Sequence, residues 1–297
     1  MDGIPAGPGV PRVRLLVLDI DGTLTDSSHA LSPATVAAVR RVSAGGVRVM
    51  LATGRRYRDA LPIAERLGID VPLVTASGAL VKRPADHLTL VRAAFQPGVL
   101  EGTLAAIAAA GHEAVLYSDS FAEGYDFHCA SLASAIDSVD AYGGGFAEYL
   151  GRNRHLARVA PDLHRAPPPG VFAGFVMGSR DAMTTLETLL SATFPQRLSL
   201  HTIKSPRYRE WMCEIAPAGV TKWSGVLQVA AAWGIRPEET CAVGDDVNDI
   251  PMIRGAGIGI AMGNARPEVR LAADHVVGTH DGTGIQEVAE LVLGRRS

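Results

Sequence analysis

Two aspartates, Asp19 and Asp21, stand two residues apart at the end of an apolar run. Residues 13–18 contain one charged side chain, a pattern that predicts a central parallel strand covered on both faces. On an extended chain the two carboxylates leave the same face, where like charges repel unless a cation compensates them. The alternative interpretation is one aspartate that caps a helix and a second that is solvated.

A second acidic segment follows a short apolar run at residues 241–243. Carboxylate and amide oxygens crowd together there, in Asp245, Asp246, Asn248 and Asp249. Such oxygens are the ligands that Mg²⁺ selects, with water and phosphate completing an octahedron. The segment does not fit an EF-hand loop, because the glycine and the terminal glutamate are absent at the required offsets.

Two further places along the chain offer groups that could bind an anion. Thr53, Gly54 and Arg55 follow an apolar run at residues 47–52, and a threonine hydroxyl and a glycine amide can both donate hydrogen bonds. Lys222 falls in the first turn of a predicted helix, where the helix dipole disfavours a cation unless an anion compensates it. The alternatives are that Thr53 caps the helix that follows it and that Lys222 is a surface lysine.

The elements between these residues predict how they are positioned. Residues 13–18, 33–44 and 47–52 read as strand, helix and strand, a βαβ unit whose crossover is expected to be right-handed. The carboxyl ends of parallel strands meet at one edge of a sheet, where ligands bind in open α/β folds. Thr53 is therefore expected at the same edge as Asp19.

Four segments of the chain resemble the motifs of the haloacid dehalogenase-like (HAD) superfamily, in its Cof-type sugar-phosphate phosphatase branch with a class IIB cap. These segments are DIDGTLT (19–25), TGR (53–55), PAGVTK (217–222) and GDDVND followed by IPM (244–252). The resemblance covers most of the chain outside its middle third. One departure is Ser77, which stands where Cof-type members usually have an asparagine.

The resemblance implies an α/β fold, with a Rossmann-like doubly wound parallel-sheet core and an inserted, smaller α+β cap domain of the C2B type. Only a helix and a strand fit between Asp19 and Thr53, whereas the interval from Gly54 to Lys222 is far longer than one helix and one strand require. We therefore predict a core at residues 12–82 and 204–297, a cap at 83–203 and a flexible tail at 1–11.

The resemblance also implies roles for individual residues. Asp19 would be the nucleophile and Asp21 the general acid and base. Mg²⁺ would bind the carboxylates of Asp19 and Asp245 and the main-chain carbonyl of Asp21, with Asp249 in the surrounding shell. Phosphate or substrate would be bound by Thr53, Gly54, Arg55, Lys222 and Asn248.

The function implied is that of a Mg²⁺-dependent phosphatase acting on small phosphomonoesters through an aspartyl-phosphate, with sugar phosphates or glycosylated phosphoglycerates as the expected substrates. One alternative is a phosphomutase on the same core, although mutases of one well-known type carry a helical cap between the segments that correspond to residues 19–25 and 53–55, where this chain has no room. The other is a phosphate-binding regulator without turnover. A dehalogenase is disfavoured because it would leave Asp21 and the metal-binding acids without a role.

The composition of the chain limits which binding partners and which cellular location are expected. The chain has 297 residues and a net charge of -3, so there is no basic footprint that predicts binding to nucleic acid. No uninterrupted apolar run reaches about 18 residues, and residues 1–11 have no signal-peptide core. Three scattered cysteines predict neither a disulfide framework nor a zinc site. We expect a cytoplasmic enzyme whose partner is a small phosphorylated metabolite.

Two features of the sequence stay open. The basic residues Arg152, Arg154 and His155 could contact a phosphorylated substrate or form a solvated face. The oligomeric state cannot be predicted from any pattern in the chain.

Overall fold

The structure is a computed structural model that describes residues 13–136, 144–205 and 207–294. The tail predicted at residues 1–11 lies outside the described residues. Within the described ranges we find no helix with the length and apolar character needed to cross a membrane.

Helices and strands alternate towards both ends of the chain, and runs of two or three consecutive strands occur between these parts. The strands are β1 (Leu15–Leu18), β2 (Arg48–Leu51), β3 (Leu73–Thr75), β4 (Leu80–Lys82), β5 (Thr89–Arg92), β6 (Ala114–Ser118), β7 (Phe127–Cys129), β8 (Ala157–Val159), β9 (Val171–Gly178), β10 (Leu198–Lys204), β11 (Trp211–Pro217), β12 (Thr240–Gly244), β13 (Ile258–Ala261) and β14 (His275–Val276). The helices are α1 (Pro33–Ala44), α2 (Tyr57–Leu67), α3 (Val99–Ala109), α4 (Gly145–Asn153), α5 (Arg180–Thr193), α6 (Lys222–Ala232), α7 (Ile250–Gly255), α8 (Pro267–Ala272) and α9 (Gly284–Gly294).

The chain divides by its internal contacts into two units. Unit 1 takes the described parts of Met1–Leu51, Arg66–Val71 and Val226–Ser297, and unit 2 takes those of Ala52–Glu65 and Pro72–Gly225. The core and cap boundaries drawn from the sequence stay a prediction.

Unit 1 is built on a five-stranded sheet in the order β14-β13-β12-β1-β2. Every pairing in it is parallel, as the sequence predicts for the core. The central strand β1 is buried along its whole length, which explains its almost uninterrupted apolar composition. Leu18 pairs with Val243 on one side and with Leu51 on the other, so β1 and β2 end level with one another and β12 runs one residue further.

Unit 2 contains a six-stranded sheet in the order β10-β11-β9-β6-β7-β8, in which only the β7–β8 pair is parallel among the described strands. Helices α3 and α5 contribute apolar side chains to one cluster with this sheet, and α4 contributes to another. A second, three-stranded sheet has the order β3-β4-β5. The mixture of sheet and helices agrees with the α+β cap that the sequence predicts.

The sheet to which β11 belongs is set by long-range strand pairing and could not be predicted from the sequence of β11. It falls in the interval 204–297 that the sequence assigns to the core, yet it lies in the six-stranded sheet between β10 and β9. Its seven residues pair in full antiparallel register with β10, from Trp211 opposite Lys204 to Pro217 opposite Leu198. The apolar composition of this strand indicates burial but does not indicate which sheet buries it.

Candidate functional site

Three carboxylates converge at the carboxyl ends of β1 and β12 in unit 1. Asp19 follows β1 directly, and its backbone amide donates to the carbonyl of Val243 at 3.1 Å. One carboxylate oxygen from each of Asp19, Asp245 and Asp249 lies within 4.8 Å of the other two, and we call these three residues the acidic cluster. The adjacency of β1 and β12 therefore brings together acids that are more than two hundred residues apart in sequence.

Asp249 fixes the shape of the loop that carries Asp245. Its carboxylate accepts hydrogen bonds from the backbone amides of Asp245, at 2.9 Å, and Asp246, at 3.1 Å. The side chain is fully buried, and a Cβ at Gly244 would overlap its carboxylate. Asp249 thus acts from within the loop, and the role that the resemblance implies for it around the metal stays a prediction.

Two polar residues of the site were not predicted from the sequence. The Thr23 hydroxyl donates to Asp245 Oδ1 at 3.3 Å, and Asn264 Nδ2 donates to the carbonyl of Gly22 at 2.8 Å. Asn264 follows β13, the neighbour of β12 in the parallel sheet. A polar residue just beyond a strand of this sheet was the available signal, because it falls at the ligand-binding edge.

The donor set of the acidic cluster fits Mg²⁺. Its ligand atoms are carboxylate oxygens, which this hard cation prefers over nitrogen and sulfur. The nearby Asn248 is buried, and its Oδ1 has no hydrogen-bond partner among the described residues. A buried polar atom without a partner is costly, and a metal-bound water or a phosphate proton would satisfy it.

Asp21 lies two residues beyond Asp19 but is not a member of the acidic cluster. Its carboxylate is half-buried, and its Oδ1 lies 3.8 Å from Nδ1 of His29. A backbone bridge joins Asp21 to Thr25 and holds the turn in place. Partial exposure suits a group that exchanges protons with a ligand or with water.

The predicted anion-binding residues 53–55 belong to unit 2. Thr53 is buried, and its hydroxyl oxygen accepts a hydrogen bond from the backbone amide of Arg55 at 3.2 Å. Its carbonyl accepts from the amide of Ser77 at 3.0 Å. The hydrogen bond from Arg55 uses a lone pair of the Thr53 hydroxyl oxygen, so the hydroxyl proton can still be donated to an anion. Residues 53–55 and the turn Ala76–Gly78 therefore form one hydrogen-bonded assembly.

Lys222 is the first residue of α6 and belongs to unit 2, and its side chain is buried. The start of this helix packs against the turn Ala76–Gly78, because a Cβ at Gly78 would overlap the carbonyl of Thr221 and approach the amide of Lys222 to 3.1 Å. The turn thus contacts both residues 53–55 and the start of α6.

The predicted site residues fall into two groups. The acids and Asn248 belong to unit 1, whereas Thr53, Gly54, Arg55 and Lys222 belong to unit 2. The hypothesis that all of them serve one site stays a prediction. The basic residues Arg152, Arg154 and His155 are exposed, and Arg152 pairs with Glu148 at 2.8 Å.

The tight approach of Gly22 to Asp245 gives a test of the acidic cluster. Gly22 has φ +76°, and a Cβ there would overlap the Asp245 carboxylate. We expect Gly22→Ala to lower the free energy of unfolding and to displace Asp245, so that a Mg²⁺ ion would no longer stabilise the fold if the acidic cluster is its site. Gly46→Ala is the matched control, since Gly46 has φ +81° but open space around the added methyl.

Urea unfolding with and without Mg²⁺ measures both effects. Backbone strain alone should cost Gly46→Ala about 1 kcal/mol, and the overlap should cost Gly22→Ala about 1–3 kcal/mol more. Equal losses in the two variants, with the Mg²⁺ response intact in both, would contradict the geometry described for Asp245.

A family model described as haloacid dehalogenase-like hydrolase matches residues 16–288. The stress response protein YhaX of Bacillus subtilis (strain 168) is 29% identical over 284 residues, covering 92% of this chain and 90% of its own length. The phosphatase YwpJ of the same organism is 26% identical over 298 residues, covering 95% of this chain and all of its own length.

The fold is also found among solved structures. The crystallised HAD subclass IIB sugar phosphatase BT4131 has a TM-score of 0.74 to this chain at 22% sequence identity, covering 95% of this chain and 100% of its own. Likeness at this level of identity shows a shared fold.

Proposed function

Since the chain belongs to the haloacid dehalogenase-like hydrolases, in their Cof-type branch, and is a phosphatase, we propose that it hydrolyses small phosphomonoesters in a Mg²⁺-dependent reaction. The proposed substrates are sugar phosphates or glycosylated phosphoglycerates, and the proposed intermediate is an aspartyl-phosphate. The observation that carries the proposal is the acidic cluster, in which Asp19 lies beside two further carboxylates at the ends of paired strands.

In the proposed reaction Asp19 is the nucleophile and Asp21 is the general acid and base. A carboxylate oxygen of Asp19 attacks phosphorus, and the bond from phosphorus to the ester oxygen breaks as Asp21 gives its proton to the leaving alkoxide. Asp21 then takes a proton from water, which attacks the same phosphorus and releases inorganic phosphate and the free Asp19 carboxylate. One difficult displacement is thereby split into two easier ones.

The metal would be held by the carboxylates of Asp19 and Asp245 and by the carbonyl of Asp21. When bound, Mg²⁺ offsets the repulsion between an anionic nucleophile and an anionic ester. Asp249 holds the loop of Asp245 through its two amide hydrogen bonds, so that the ligands keep their positions before the ion arrives. The buried amide of Asn248 supplies a further polar group for phosphate or a metal-bound water.

The anion-binding residues would act on the phosphoryl group. We assign its oxygens to the Thr53 hydroxyl, the Gly54 amide and the Lys222 ammonium, with Arg55 beside them. Donors that are fixed before the reaction are worth most where charge accumulates in the transition state. The hydrogen bonds that join residues 53–55 to the turn Ala76–Gly78 support this role, because they fix the donors in advance.

A steady-state assay tests the proposal against its two alternatives. With p-nitrophenyl phosphate and Mg²⁺, a phosphatase releases inorganic phosphate, and EDTA stops the release. Conversion of a sugar phosphate to its isomer without free phosphate would identify a mutase. Binding of phosphate without any turnover would identify a regulator. The cytoplasmic location expected from the sequence stays a prediction.

Removal of the metal should also be visible without an activity assay. At a Mg²⁺ concentration one hundred times the Kd, we expect a stabilisation of about 2.7 kcal/mol, which raises Tm by about 5 °C or more. Asp245→Asn should lose this rise in Tm. Asp246→Asn is the matched control, because Asp246 is the adjacent carboxylate and pairs with Arg266 at 2.9 Å instead of joining the acidic cluster. Equal Mg²⁺ responses in both variants would refute the metal assignment.

A further inference from the structure

Asn264 lies in the turn that follows β13 and contacts three other segments of unit 1. Its side-chain Nδ2 donates to the carbonyl of Gly22 at 2.8 Å and approaches Asp245 Oδ2 at 3.5 Å. Its Oδ1 accepts a hydrogen bond from the backbone amide of His280 at 3.0 Å. One neutral side chain therefore joins the turn after β1, the loop after β12 and the segment that follows β14.

The surroundings of Asn264 match a side-chain amide. Two acceptors, the Gly22 carbonyl and the Asp245 carboxylate, face its Nδ2, whereas a backbone N–H faces its Oδ1. An amide carries donors and an acceptor in one rigid planar group, so it satisfies both sides at once. An apolar side chain of the same size would leave the Gly22 carbonyl and the His280 amide without these bonds.

The turn that carries Asn264 is attached to its neighbours by backbone hydrogen bonds as well. The amide of Met262 donates to the carbonyl of Gly244, the last residue of β12, at 3.0 Å. The amide of Arg266 donates to the carbonyl of Asp245 at 3.2 Å. Because these bonds do not involve the Asn264 side chain, a substitution there should remove the side-chain contacts and leave the turn beside β12.

Asp245 is contacted at both of its carboxylate oxygens by groups that also belong to, or hold, the turn after β1. The Thr23 hydroxyl, in that turn, donates to Oδ1 at 3.3 Å. Asn264 approaches Oδ2 and at the same time holds the carbonyl of Gly22, the residue before Thr23. The two contacts thus fix Asp245 relative to the turn that contains Asp21, whose carbonyl is a proposed metal ligand.

Resting on the proposed function, we propose that Asn264 is a positioning residue for the Mg²⁺ site, which sets the spacing between Asp245 and the turn at Gly22. Its amide holds the groups that would bind the ion and is not itself a ligand. Mg²⁺ demands near-ideal octahedral geometry, whereas the larger Ca²⁺ accepts flexible sets of oxygen ligands. Asn264 therefore contributes more to the affinity for Mg²⁺ than to that for Ca²⁺, and it helps the site to select the smaller ion.

Calorimetric titration of the metal-free protein with Mg²⁺ and with Ca²⁺ tests the assignment. Asn264→Leu keeps the approximate size and the neutral charge of the side chain but removes the amide. We expect the Kd for Mg²⁺ to rise by about tenfold or more, the effect typical of losing a group that holds a metal ligand. The Kd for Ca²⁺ should rise less, so the preference for Mg²⁺ over Ca²⁺ should fall by at least about threefold.

Ser32→Ala is the matched control for a loss of stability alone. The Ser32 side chain caps α1 by accepting from the amide of Thr35 at 3.0 Å, and losing such a cap costs about 1 kcal/mol. This variant should lower Tm and leave both dissociation constants unchanged. If Asn264→Leu does not fold, Asn264→Ala removes the same contacts. A Kd for Mg²⁺ within about twofold of wild type in the folded variant, or equal rises for both ions, would overturn the assignment.

Titrations without substrate separate this inference from the proposed function. If the wild-type protein binds Mg²⁺ and releases no phosphate, but the preference for Mg²⁺ falls in the Asn264 variant, the proposed hydrolysis fails and the role of Asn264 stands. If phosphate is released and neither dissociation constant changes in the variant, the role of Asn264 fails and the proposed function stands. A wild-type protein that binds no Mg²⁺ would overturn both the metal assignment and the role of Asn264.

Discussion

Asp19→Asn is expected to reduce kcat on p-nitrophenyl phosphate by at least about 10⁴-fold, to the level of background hydrolysis. The substitution keeps the size of the side chain but removes the oxygen nucleophile, and losses of that size or larger follow the removal of a catalytic nucleophile. Asp19 is buried at the end of the central strand, and its backbone amide holds the neighbouring strand. The fold should therefore survive the change.

The control for this prediction is Asp70→Asn, an exposed aspartate in the same unit. It should keep wild-type kcat. Circular dichroism and the unfolding midpoint establish that both variants are folded. If folded Asp19→Asn kept near wild-type turnover, the nucleophile would be another group and the proposed mechanism would be wrong.

The second large effect is expected at Lys222. Lys222→Ala should lower kcat by about a hundredfold or more, because it removes a donor that the proposal aims at the charge developing on the transferring phosphoryl group. KM should change less than kcat if the ammonium acts mainly in the transition state. Rapid-quench measurement of the first turnover would show whether the slow step is the chemical one.

Two variants sharpen the test at this position. Lys222→Arg keeps the charge but replaces a compact ammonium with a wide planar fork, so only a partial recovery of kcat is expected. Lys204→Ala removes an exposed lysine from the same unit and should leave kcat intact. An Ala variant at position 222 that lost affinity for substrate while keeping kcat would assign Lys222 to ground-state binding alone.

The first of these predictions rests on a residue that the sequence by itself singles out, whereas the role of Lys222 comes from the family resemblance. The acidic residues after β1 and after β12 are conspicuous because a buried strand rarely ends in several carboxylates without a ligand. The spacing between Asp19 and Thr53 leaves room for one helix and one strand, and the structure has α1 and β2 in that interval. Local patterns of this kind can be predicted from the sequence because the burial of a strand and the start of a helix depend on neighbouring residues.

Other parts of the site depend on partners that are distant in sequence. Asn264 contacts Gly22 only because β13 lies beside β12, which lies beside β1. The pairing of β11 with β9 and β10 is likewise invisible in the sequence of β11, where an acidic residue within an apolar run marks no particular sheet. A shift of one residue in that register would turn every side chain of β11 to the other face of the sheet.

The sequence alone indicated the kind of chemistry: carboxylates at strand ends, a lysine at the start of a helix, and an α/β core with an inserted cap. Those features can be predicted from residue types and short sequence spacings, because they depend mainly on interactions between neighbouring residues. The tertiary structure decided which oxygens meet in the acidic cluster, which side chains fix the loop of Asp245, and which sheet contains β11. Contacts between distant segments come from strand order and register, which depend on the burial of the whole sheet and are not encoded in any single stretch of the chain.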